Sequence, residues 1–219
     1  MTTAREEILD RVRRALRDVP HDESATDVPL EWAYGRPVEV GDVLDTFVDR
    51  IIDYKAAIVR CPAVKVPQAI REAAQKLQIA SAVVPVGLPA EWQDALRASG
   101  VEVRVDRQDA QLTNAELNQT TAVVTAAAVA AAQTGTIILD HSADQGRRAL
   151  SLVPDVHLCV VRADQVVSGV PEAVARVKAA VVAGQPLTWI SGGSATSDIE
   201  LSRVEGVHGP RKLHVILAE

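Results

Sequence analysis

The 219-residue sequence predicts an α/β fold with a mostly parallel sheet and helices on both faces. Two observations carry that expectation. From about residue 41, helical segments of roughly 10–15 residues alternate with short strand-like runs. The central runs TIIL and HLCVV are apolar without a break, as strands covered on both faces should be. Aromatic residues make up only 3 % of the chain, so the core has to be built from Ala, Val, Leu and Ile.

The first element is an amphipathic helix. In TAREEILDRVRRALRDV, the residues Ile8, Val12, Ala15, Leu16 and Val19 recur on one helical face, with Thr2 or Thr3 as the N-cap. Arg5, Glu6, Arg13, Arg14 and Arg17 give the other face mixed charge, unlike a membrane-surface helix. PHDESATDVPLEWAYGRP, with three prolines and several acids, reads as an irregular linker. The expected division is therefore 1–37 (helix and linker) and 38–219 (the main domain). The helix has to bury its stripe, either on its own domain or against a partner.

The alternation then runs in order. VLDTFVDRIIDYK is helical and precedes AAIVRC; VPQAIREAAQKLQ precedes IASAVVPV; AEWQDALRASG ends at Gly100 before VEVRV. A short helix is expected near Asn114–Asn118. TAVVTAAAVAAAQTGTIILD has two readings. It is one helix over Ala122–Ala132, or a strand to about Val124, a tight turn and a second strand from Thr136; the flanking Val, Thr and Gly favour the strands. GRRALSLV makes a helical turn before HLCVV, PEAVARVKAAVVAG is a helix ending at Gly184, and PLTWIS and KLHVILA are the last strands.

A net charge of −6 leaves no overall basic footprint for nucleic acid. No apolar run approaches membrane-spanning length, and residues 1–20 lack a signal-peptide core. A cytoplasmic protein with no nucleic-acid partner and no membrane span is expected. Cys61 and Cys159 form no C-x-x-C pair and read as reduced, buried thiols. A cluster held within the chain would need about four thiolates.

The chemistry-bearing candidates lie in three loops. Ser191-Gly192-Gly193-Ser194 follows a strand and is expected on the sheet's carboxyl rim, where open α/β sheets bind ligands. Ser197-x-x-Glu200 reads as a capping box opening a short helix near Asp198, a place for a carboxylate or phosphate. Phosphate-loop and dinucleotide signatures are absent. The plainer reading is a glycine turn and a capped helix with nothing bound. In Glu205-Gly206-Val207-His208-Gly209-Pro210, His208 could handle protons near neutral pH. His157 and His214 read as structural, His21 falls in the linker, and His141 follows a strand end. Gln133-Thr134-Gly135-Thr136 offers hydroxyls and amides, and Arg147 or Arg148 could pair with an anion. No histidine spacing supports a metal site, and G-x-S-x-G is missing.

The expected ligand site therefore comprises Gln133, Thr134, Gly135, Ser191, Gly192, Gly193, Ser194, Thr196, Ser197 and Gly209. Asp198 and His208 are the candidate catalytic residues, with Glu200 as a cap or second carboxylate.

QTGTIILD, GRRALSLVPDVHLCVV and ISGGSATSDIELSRVEGVHGP together resemble the LUD-domain family over roughly residues 40–219. The pair SG-x-S-x-T-x-D-I-E and G-V-H-G-P, in this order and spacing, carries most of the likeness. The resemblance implies a Rossmann-like α/β sheet of the sugar-phosphate isomerase and coenzyme A transferase group. It also implies a role in oxidising L-lactate to pyruvate with two separate iron–sulfur proteins, so that no cofactor is expected in this chain and the clusters lie in its partners. Two departures stand out. Members often read SGPS where this chain has Ser191-Gly192-Gly193-Ser194, and many have Glu where it has Gln133. Related coenzyme A transferases use a carboxylate nucleophile, a part an amide cannot play. Three functional classes follow: an accessory subunit for lactate oxidation binding a small anion; a freestanding enzyme on a coenzyme A ester, folate or sugar phosphate; and a structural adaptor.

Overall fold

A computed structural model describes residues 3–18, 36–197, 203–205 and 209–219. The chain falls into two units, Met1–Tyr34 and Gly35–Glu219. The first contains helix α1 (Ala4–Ala15), opened by Thr3. The Thr3 hydroxyl accepts from the Glu6 amide at 3.3 Å, and the Glu6 carboxylate accepts from the Thr3 amide at 2.7 Å. No residue of α1 is buried, and Ile8, Val12 and Leu16 keep 62 %, 48 % and 55 % of their surface exposed.

The second unit alternates as the sequence predicts. α2 (Val43–Asp53), β1 (Ala57–Cys61), α3 (Val66–Lys76), β2 (Ser81–Pro85), α4 (Ala90–Ala98), β3 (Glu102–Asp106) and α5 (Asn114–Asn118) come first. The Ala-rich stretch is strand rather than helix: β4 (Ala122–Ala126) and β5 (Val129–Ala131) precede β6 (Thr136–Leu139). Every residue of these three strands is buried. Small and β-branched side chains suit a strand enclosed between layers, and that burial outweighs the helix preference of Ala. β7 (Val156–Arg162), β8 (Val166–Val167), α6 (Val170–Val182), β9 (Thr188–Ile190), β10 (Ala195–Ser197), β11 (Arg203–Glu205) and β12 (Lys212–Ala218) complete the order.

The main sheet has six strands in the order β1-β12-β7-β4-β2-β3, all parallel. α3 and α4 cover one face through Ile70, Ala73, Trp92 and Leu96, packed on Val84, Val124, Leu158 and Ile216. The opposite face takes α2 through Phe47 and Ile51, together with a second sheet. That sheet runs β8-β5-β6-β9, with β6 antiparallel to β5 and to β9. α6 closes its far side through Ala173 and Val177. Each fully buried Leu, Ile or Phe contributes about 1.5–3 kcal/mol.

One expectation needs correction. PLTWIS is not a strand of the parallel sheet: among the described residues β9 pairs only with β6, Ile190 opposite Ile137, at the edge of the second sheet. Ser197 pairs with Arg203 in a β10–β11 ribbon, and the helix expected to open near Asp198 lies outside the described residues.

Strand order reverses between β2 and β4, the usual ligand crevice of such sheets. The chain fills that crevice itself. The Gly87 amide donates to the Ala143 carbonyl at 2.9 Å, and the Ala126 amide donates to the Asp144 carbonyl at 3.1 Å. A Cβ on Gly87 would stand 2.5 Å from the Ala143 carbonyl. Gly87→Ala is therefore expected to lower stability by about 1–3 kcal/mol. A urea unfolding midpoint equal to that of the wild type would show that the 140–147 loop yields without penalty.

Candidate functional site

The antiparallel register of β6 and β9 brings two of the loops singled out by sequence together. With Ile137 opposite Ile190, Thr136 falls beside Ser191, and their hydroxyls lie 2.9 Å apart. Thr134 extends the chain, its hydroxyl 2.8 Å from that of Thr136. Helix α2 presses on both loops. A Cβ on Gly135 would stand 2.7 Å from the Arg50 Cβ, and one on Gly192 would stand 2.8 Å from the Tyr54 Cβ. Gly192 also has φ +86°, a backbone that a side chain would strain. Gly193 lies against the Arg211 carbonyl, so close that a Cβ there could not be accommodated without movement.

Ser191–Ser194 walls a cavity of about 270 Å³. Its hydroxyls are those of Ser151, Thr188, Ser191 and Ser194, and Gly209 and Pro210 complete the rim. His157 and Leu213 lie one residue inside the start of β7 and β12, so the cavity opens at the amino ends of these strands. The loop was expected at the parallel sheet's carboxyl edge. It sits at the opposite edge because β9 belongs to the second sheet, whose direction the parallel strands do not dictate.

None of the described lining residues is Lys, Arg, Asp or Glu. The Ser194 amide, expected to face a ligand, instead donates to the Pro210 carbonyl at 2.8 Å and ties the glycine loop to the segment entering β12. Gln133 is placed elsewhere: it borders a second cavity with Glu39, Thr46, Asp49 and Arg50. Thr196 lies on β10 with Ser197. Asp198, Glu200 and His208 lie outside the described residues.

Two histidines outside the expected site make contacts worth describing. His141 has φ +61°, and its ring bridges the Gly146 carbonyl and the Thr188 hydroxyl, each at 2.8 Å. A carbonyl can only accept, so Nδ1 donates to Gly146. His157, read as structural, lines the cavity. Its Nε2 lies 2.8 Å from the Thr125 hydroxyl, and Nδ1 is buried without a partner among the described residues. The available signal was a polar residue inside an otherwise apolar buried strand, which normally requires a bonded explanation.

A third cavity lies at the carboxyl ends of β2 and β3, bordered by Asp106, His141, Arg147 and Arg148. There Arg147, expected as an anion ligand, is already held by Asp106 through bonds of 2.8 and 3.1 Å. Cys159 is buried, and its thiol is pushed up to about 12 by that burial; Cys61 is partly buried. Among the described residues, no group of three or more His, Cys, Asp or Glu could hold a metal ion, and no helix is long and apolar enough to cross a membrane.

Fold and cavity together define an α/β sheet domain with a small pocket at the amino edge whose described lining is hydroxyl-rich and carries no Lys, Arg, Asp or Glu. The chain belongs to the LUD domain family, whose model matches residues 44–218. It is 48 % identical to lactate utilization protein C of Deinococcus radiodurans over 214 residues, 98 % of this chain and 95 % of that protein. Lactate utilization protein C of Bacillus licheniformis is 33 % identical over 100 residues, 44 % of this chain and 41 % of that one. A crystal structure of a DUF162 family protein from Deinococcus radiodurans superposes with TM-score 0.69 at 46 % identity, covering 84 % of this chain and all of that one.

Burial lowers the His157 imidazole from 6.5 to about 4 and lowers His214 as well. In this range the unfolded chain takes up protons that the folded chain refuses. Stability therefore falls as pH drops from about 6.5 to about 4, by on the order of 3 kcal/mol for His157. His157→Asn should remove that part of the slope. Thermal unfolding of both proteins across this range checks it, and parallel wild-type and variant curves would show that His157 does not titrate as described.

Proposed function

We propose that this chain serves L-lactate utilisation as a subunit that acts with iron–sulfur partner proteins and seats a small carboxylate in the Ser191–Ser194 cavity. The observation that carries the reading is the 48 % identity to lactate utilization protein C along nearly the full length of both chains. The cavity supports the ligand class. Its volume of about 270 Å³ is below the roughly 300–1,000 Å³ of sites for drug-sized ligands, which suits a small anion better than a coenzyme A ester. Among the described lining residues, hydroxyls and loop backbone are the groups that would bind the carboxylate. Asp198 follows this segment in sequence, His208 directly precedes Gly209, and both remain the candidates for proton handling. Their roles belong to this proposal.

Dye reduction driven by L-lactate, measured with the two iron–sulfur partners, should require this chain. His208→Ala and Asp198→Ala should each lower the rate about tenfold or more while leaving thermal unfolding unchanged. A rate indifferent to the chain would remove the direct role in lactate oxidation.

A further inference from the structure

The cavity at the carboxyl ends of β2 and β3 has a volume of about 420 Å³, and its polar groups are unevenly spent. The acceptors are occupied. Asp106 Oδ1 accepts from the Leu112 amide at 2.8 Å and from Arg147 Nη2 at 3.1 Å, and Oδ2 accepts from Arg147 Nε at 2.8 Å. Ser142 Oγ donates to Asp140 and accepts from Gln145 Nε2, and both ring nitrogens of His141 have partners.

The donors are not. Arg148, exposed at the cavity wall, makes no side-chain hydrogen bond or ion pair among the described residues, and neither do the carboxamides of Gln108 and Gln111. Arg147 is held through Nε and Nη2 by Asp106 and the Leu112 carbonyl, which leaves Nη1 unbonded among the described residues. Two guanidinium groups against one carboxylate give this lining an excess of one positive charge, on a chain whose net charge is −6. Both arginines follow a braced turn. The Asp140 amide donates to Gln145 Oε1 at 2.8 Å, Gln145 Nε2 donates to Ser142 at 2.8 Å, and Gly146 takes φ +69°. The backbone that carries the donors is therefore set before a ligand arrives, at the strand ends where open α/β sheets seat one.

We propose that this carboxyl-edge cavity is a second ligand site, which takes the phosphate group of a small phosphate monoester on Arg148, with Arg147 Nη1, Gln108 and Gln111 as further donors. A lining with spent acceptors and unspent donors selects an anion. The donors come from four separate side chains, and the paired edge of Arg147 is taken by Asp106. A carboxylate is satisfied by one guanidinium edge, whereas a phosphate turns three acceptor oxygens in different directions and can answer several side chains at once. The volume falls in the roughly 300–1,000 Å³ range of small-molecule sites and exceeds what a bare phosphate fills. Exposed Val86 and Pro186 border the remaining space and suit a short organic group. The cavity shares no described lining residue with the Ser191–Ser194 cavity, and the inference does not depend on how that one is read.

The test titrates the full chain, labelled with ¹⁵N, with inorganic phosphate and then with glycerol phosphate, at ionic strength held constant with sodium chloride near neutral pH. Backbone amides of residues 142–148 should shift along a saturating curve, with glycerol phosphate binding at least as tightly as inorganic phosphate. Acetate should need about tenfold higher concentration to give the same occupancy. Arg148→Gln should weaken phosphate about tenfold, with an unchanged melting temperature as the folding control, since the side chain is exposed and unbonded. Shifts that chloride alone reproduces, shifts confined to the Ser191–Ser194 loop, or an Arg148→Gln protein that binds as the wild type does would each overturn the site. Acetate binding as tightly as phosphate would overturn the ligand class.

Discussion

β7 pairs in parallel with β4 on one side and β12 on the other, and both of its faces lie under other layers, α3 and α4 on one and the second sheet with α2 on the other. From Val156 to Val161 every residue of β7 is buried, so these side chains have to be apolar or satisfied from within. The two enclosing layers follow from that requirement. Small residues at Ala127, Ala130 and Ala132 let the second sheet approach closely enough to serve as a layer where a helix is the common choice. His157 is where the rule is half broken, one ring nitrogen bonded to Thr125 and the other unpaired. The exception falls at the edge of a cavity rather than in the middle of the core.

The second sheet also explains why the pocket is not at the customary edge. The switch point between β2 and β4 is plugged by the 140–147 loop, whose Ala143 and Asp144 carbonyls accept from Gly87 and Ala126. With that crevice occupied, open space of another kind arises where β9 leaves the second sheet and its glycine loop folds back on the segment entering β12. The Ser194–Pro210 bond and the close approach of Gly193 to Arg211 hold that return. Thr188 joins the two regions, since it lines the amino-edge cavity while its hydroxyl bonds to His141 at the carboxyl-edge one.

Periodicity and punctuation made much of the fold legible. The helix at Asn114–Asn118, the stop of α4 before Gly100 and the capping Thr3 are written in local sequence, because caps and turns are decided by a few neighbouring backbone groups. The glycine-and-hydroxyl loop was legible as a candidate for the same reason. Its position was not. TWI reads alike whether it joins a parallel sheet or edges an antiparallel one, since the strand carries no mark of its partner. Ser197 shows the same limit: its capping pattern is local, and nothing in it announces the pairing with Arg203.

By itself, then, the sequence determined the α/β class, the order of most elements, the Thr134–Thr136 and Ser191–Ser194 loops as places of interest, and the family likeness carried by their motifs. These are local properties, set by side-chain period, backbone freedom and short-range hydrogen bonding. Only the tertiary structure decided that there are two sheets, that Gln133 stands apart from the Ser191 loop, that Arg147 is committed to Asp106, and that His157 borders a cavity. Each of these depends on residues far apart in the chain meeting across a packed interface, and one strand's pattern is compatible with many such partners until the whole core is assembled.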